Sequence, residues 1–88
     1  MRAAELAPDD ALACLLAATI YSRQGQTGEA ESYYKAAISA DPVRSEPYYN
    51  LAQLCANDQR MEDARGYYEK ALERGAVPDP ALEKRIQP

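Results

Sequence analysis

This 88-residue sequence predicts an all-α protein built from antiparallel helix hairpins. Three observations predict it: an internal repeat of 34 residues, turn signals that divide each repeat into two helix-length segments, and an apolar content dominated by alanine and tyrosine.

The repeat emerges when the sequence is slid along itself. At an offset of 34, Ala18 meets Ala52, Ala30 meets Ala64, Tyr33 and Tyr34 meet Tyr67 and Tyr68, and Ala37 meets Ala71. Pro8 and Pro42 share the spacing, and GEAESYYKAAI against EDARGYYEKAL is the clearest strip. A repeat of this length is one supersecondary unit, whose apolar faces are buried only by stacking on a neighbour.

The elements follow in order. Residues 1–8 read as the end of a preceding helix, closed by Pro8. The first repeat, 9–44, is predicted to open with a helix from Asp10 to Arg23, capped by Asp9 and broken at Gly25. Its second helix is expected from Gly28 to Ala40, with Thr27 as N-cap and Asp41-Pro42 as the stop. The second repeat, 45–78, begins with Ser45 as N-cap of a helix from Glu46 to Asn57, where Pro47 is tolerated in the first turn. A helix from Glu62 to Arg74 ends on Gly75. Residues 79–88 form a short C-terminal capping helix that starts near Pro80 and carries Leu82 and Ile86 on one face.

Of the 41 apolar residues, 17 are alanine and 7 are tyrosine, and the chain has neither Phe nor Trp. Alanine favours helix and lets helix axes approach closely, while tyrosine suits a half-buried seam. The net charge is −4, without a basic run, which argues against nucleic acid or an anionic membrane as partner. No apolar stretch is long enough to cross a bilayer, and the opening residues lack the apolar core of a signal peptide. The expectation is a soluble chain, with the cytoplasm favoured.

Little here points to catalysis. Histidine is absent, which removes the commonest acid–base group and the usual Cys/His zinc patterns. Cys14 and Cys55 sit among apolar neighbours and read as inert thiols. The acidic residues Glu29, Glu31, Glu62, Asp63, Glu69 and Glu73 alternate with Lys35, Arg65 and Lys70, as on a solvated helix face. No catalytic residue, cofactor or metal site is predicted.

The pattern resembles the tetratricopeptide repeat. That family places a bulky residue, Leu-Gly and Tyr in its first helix, then Ala, an aromatic and Ala in its second, with a closing Pro. Cys14, Ala17-Ala18, Tyr21, Ala30, Tyr34, Ala37 and Pro42 fill these places in the first repeat. Tyr48, Leu51-Ala52, Cys55, Ala64, Tyr68 and Ala71 fill them in the second. Departures include Ala18 and Ala52 for glycine, and Gln59 where Gly25 has its counterpart. The resemblance implies a right-handed superhelical stack with two full repeats, a C-terminal helix and a concave face lined by the first helices. With the first helices stacked in parallel, Cys14 and Cys55 are offset too far for a disulfide, and two thiols are expected.

What the resemblance implies for function is a protein–protein interaction scaffold that binds a peptide or partner helix on its concave face. The residues placed there are Leu12, Leu15, Thr19 and Arg23 in the first repeat and Tyr49, Asn50, Gln53 and Asn57 in the second. Leu16, Ser22 and Glu46 share that face. Chaperone-binding members grip a carboxylate there with lysines, an arginine and asparagines. Only Asn50 matches that set, and Leu15 and Thr19 stand where lysine and asparagine would be, so a chaperone-tail clamp is not expected. Two alternatives are a substrate-recruiting, non-catalytic repeat region of a larger enzyme, and a structural protomer that self-associates through its N-terminal end.

Overall fold

The computed structural model describes residues 10–88. Within them lie five α-helices and no strand: α1 (Ala11–Arg23), α2 (Thr27–Ala40), α3 (Glu46–Asn57), α4 (Met61–Glu73) and α5 (Pro80–Ile86). The chain divides into two compact units, the first ending at Val43 and the second running from Arg44 to Pro88. In the first, α1 pairs with α2. In the second, α3 pairs with α4, and α5 packs on both. The helix expected over residues 1–8 falls outside the described residues.

Alanine makes the hairpins possible. Ala18, Ala30 and Ala37 in the first unit, and Ala52, Ala64 and Ala71 in the second, are all fully buried. A larger side chain at any of them would have to push a helix off its partner, at about 1–3 kcal/mol. Aromatic contacts link the same helices. Tyr21 of α1 stacks on Tyr33 of α2 with centroids 5.4 Å apart, and Tyr48 of α3 lies 6.5 Å from Tyr67 of α4. The Arg74 guanidinium sits 4.4 Å above the Tyr48 ring, so the end of α4 is also held to α3.

Both hairpin turns are built alike. Gly25 has φ +78°, its N–H donates to the Ser22 carbonyl, and the Gln26 N–H donates to the Tyr21 carbonyl at 2.9 Å. This pair of bonds is the Schellman ending of a helix. The Gln26 carbonyl in turn accepts from the Ala30 N–H at 3.0 Å, so one residue closes α1 and opens α2. Arg60 does the same in the second unit, donating to Cys55 and accepting from Ala64. There the left-handed position is Gln59, at φ +64°, a conformation that costs a non-glycine residue about 1–2 kcal/mol. α4 ends in the same manner on Gly75 at φ +97°.

The helix starts differ from expectation. Asp10 caps α1, its Oδ1 accepting from the N–H groups of Leu12 and Ala13. Thr27 is the first helical residue of α2, and Gln26 occupies the cap position without a side-chain bond. Ser45 precedes α3 but makes no capping bond. Its own backbone is already helical (φ −77°, ψ −28°), and Pro47 has no N–H to offer a cap. Asp79 does cap α5, accepting from the Leu82 N–H at 3.2 Å.

The core around α5 joins Ala52, Cys55, Ala56, Ala64 and Tyr68 to Leu82 and Ile86. A seven-residue helix is not stable in water by itself, so α5 is helical because it is docked. Burial of Leu82 and Ile86 contributes roughly 1.5–3 kcal/mol each. Arg65, expected on a solvated outer face, is only half-exposed and donates to the Ile86 carbonyl at 2.8 Å. Cys14 and Cys55 are buried reduced thiols.

Candidate functional site

α1 carries a row of apolar side chains on its surface. Leu12, Leu16 and Ile20 are 54%, 58% and 55% exposed, and their spacing of four places them along one stripe. Leu15, assigned to the same face from sequence, is buried instead. Thr19 is half-buried and its hydroxyl donates back to the Leu15 carbonyl at 3.0 Å. Arg23 is exposed in the last turn, where its charge complements the helix dipole.

On α3 the structure divides the predicted residues into two groups. Tyr49, Gln53 and Asn57 recur at every fourth position; Tyr49 bonds to the cap of α5, Asn57 bonds to α5, and Gln53 bonds to Tyr49. The Tyr49 hydroxyl donates to Asp79 Oδ2 at 2.5 Å and accepts from Gln53 Nε2 at 3.1 Å. Asn57 Oδ1 accepts from Arg85 Nη2 at 2.8 Å. Asn50 is half-buried and stands outside this network.

Tyr68 of α4 completes the polar ring around the start of α5. Its hydroxyl donates to Glu83 Oε2 at 2.5 Å and accepts from the Asp79 N–H at 2.9 Å. The electrostatics follow from these bonds. The Tyr49 hydroxyl and the Leu82 N–H hold the Asp79 carboxyl below its ordinary value. Tyr49 is raised by its bond to Asp79 and then by burial, and Tyr68 by burial and then by its bond to Glu83.

Beside this ring lies a cleft of about 540 Å³. Ser45, Glu46, Tyr49 and Asn50 form one wall, and the connection from Ala76 to Pro80 forms the other. Val77 stands on that second wall and is 81% exposed. Glu46 is held at 2.9 Å by Arg44, so its charge is partly balanced in place. Asn50 and Tyr49 were legible from the repeat register; the opposite wall was not, because the α4–α5 connection has no fixed place in the pattern.

Among the described residues, no three thiol or carboxylate groups converge as a metal site would need. No described helix is long and apolar enough to cross a membrane. What these surfaces can do chemically is contact: apolar burial on α1, hydrogen bonding and apolar contact in the cleft.

No curated protein matches the sequence. The family model described as tetratricopeptide repeat matches residues 15–79, from the middle of α1 to the cap of α5. Repeats of this family generally mediate protein–protein interaction and are typically non-catalytic. With the match covering well over half of the sequence and the hairpins built on alanine at the 34-residue spacing, the chain belongs to the tetratricopeptide repeat family.

Proposed function

We propose that this chain is a protein–protein interaction scaffold that takes up a peptide or helix of a partner on the exposed surface of a first helix, α1 in the first unit or α3 in the second. The observation that carries the reading is the stripe of Leu12, Leu16 and Ile20, each more than half exposed. Removing these side chains from water favours association by about 1–2 kcal/mol each. Thr19 and Arg23 flank the stripe on α1. On α3, Asn50 supplies an amide outside the α5 network, and Tyr49, Gln53 and Asn57, whose polar groups are engaged in that network, share its helix. Leu15 supports this face from beneath.

A peptide selected from a random phage-displayed library, titrated into the isotopically labelled chain, tests the reading. Backbone amides of α1 or α3 should shift, and Leu12→Ala with Leu16→Ala should weaken binding by about tenfold or more. Asn50→Ala should weaken it less, and Glu31→Ala on α2 should leave it unchanged. A library that yields no binder, or shifts confined to the outer sides of α2 and α4, would refute the scaffold reading.

A further inference from the structure

The surface beneath α5 is a helix-binding site in its own right, and the bound helix states what the site selects. Every turn of α5 meets a dedicated group. Its capping carboxylate, Asp79, meets the Tyr49 hydroxyl. Leu82 and Ile86, four residues apart, enter the cluster of Ala52, Cys55, Ala56, Ala64 and Tyr68. Glu83 meets the Tyr68 hydroxyl, Arg85 meets Asn57, and the Ile86 carbonyl meets Arg65. The receiving groups come from both α3 and α4.

α5 is also a weak occupant. It has seven residues and only two buried side chains. The connection before it is exposed at Gly75, Val77 and Pro78, so detachment costs chiefly the burial of Leu82 and Ile86 and the bonds of α5 and Asp79. A short linker holds such a segment against its site at an effective concentration of about millimolar, so a free helix at micromolar concentration displaces it when it binds the face about a thousandfold more tightly, or when α5 is weakened.

From these observations we infer that the α3–α4 face is a second interaction surface, for a short amphipathic helix of a partner protein, and that α5 is its built-in competitor. The matching helix has an acidic N-cap, Leu three residues on, Glu next to it, a basic side chain two residues after that, and Ile four residues after the Leu. A second copy of the chain is the poorer occupant, since its own α5 must also detach, and two copies of net charge −4 repel. This surface shares Tyr49 and Asn57 with the α3 face but not the exposed α1 stripe of Leu12, Leu16 and Ile20 that carries the first proposal, so either proposal can fail alone.

The probe is a labelled synthetic peptide with the sequence of residues 78–88, added to the full-length chain and followed by fluorescence anisotropy. Leu82→Ala in the chain weakens the internal competitor, and the peptide should bind that variant at least about tenfold more tightly than the unaltered chain. Arg85→Ala, at an exposed position, should give a smaller gain in the same direction, and it serves should Leu82→Ala fail to fold. A peptide carrying alanine in place of its leucine should bind neither. Equal affinity for altered and unaltered chains, or no binding to either variant, would overturn the proposal. So would a concentration-dependent dimer of the unaltered chain that exchanges α5 between copies, because it would make the second copy the occupant.

Discussion

Gln59 occupies a place where the backbone asks for glycine, and replacing it tests how the turn is built. Gly25 and Gln59 are 34 residues apart and hold the same Schellman position, at φ +78° and +64°. The Gln59 side chain is exposed, so its removal costs little packing. Relief of the left-handed conformation is worth about 1–2 kcal/mol. Glycine also gains freedom in the unfolded chain, which returns about 0.4–1 kcal/mol. The net stabilisation expected from Gln59→Gly is about 0.5–1 kcal/mol, or a rise in Tm of about 3–6 °C for a chain of this size. The opposite exchange, Gly25→Gln, should lose a similar amount for the same reason. A Cβ at Gly25 would meet nothing within 4 Å, so no clash adds to the backbone effect. Urea and thermal unfolding followed by circular dichroism at 222 nm would measure both, and the double variant should fall close to the unaltered chain. A Gln59→Gly midpoint that stays put or falls would refute the argument that left-handed backbone strain is stored there.

Two further outcomes follow from the caps and the ring around α5. Asp10→Ala should destabilise by about 1 kcal/mol, whereas Ser45→Ala should change stability by only a few tenths, since Asp10 makes capping bonds and Ser45 makes none; denaturant midpoints of the two variants check this. With pH, the Asp79 contribution is complete above its ordinary value of 3.8 and is lost as pH falls through its lowered folded-state value. Tyr49 and Tyr68 are raised, so their contributions are complete below 10.0 and are lost as pH rises through their folded-state values. Hydrogen exchange of the Leu82 amide should therefore be slowest relative to the unfolded chain between about pH 4 and 10, and protection that is unchanged in Asp79→Ala at pH 7 would contradict the assignment.

The hairpins were legible because close helix packing leaves a mark at fixed positions. Ala30, Ala37, Ala64 and Ala71 are small where helices touch, and they repeat with the turn residues that separate the helices. The caps were less legible. Asp9 was the expected cap of α1, but Asp10 makes the capping bonds, since the helix begins one residue later than the pattern implied. Thr27 was misplaced because the Schellman ending of α1 already fixes Gln26 as the start of α2. The surface residues were readable as faces but not as partners. That Tyr49 and Asn57 bond to α5 and its cap depends on the docking of a helix some 28–30 residues further along the chain, which no local pattern encodes.

The shared turn residues, Gln26 and Arg60, also bear on how fast each unit forms. One residue ends a helix and begins the next, so each hairpin closes through the shortest loop its geometry allows. The hydrogen-bonded link that ties α3 to the cap of α5, Tyr49 to Asp79, spans 30 residues. Loop-closure entropy is then small at every step, and contact between neighbours in sequence comes before contact between distant parts. Each hairpin can gather from its own turn outward in microseconds to milliseconds, with α5 joining the second unit last. Newly made chain leaving a ribosome would therefore have its first hairpin in place before α5 has been synthesised.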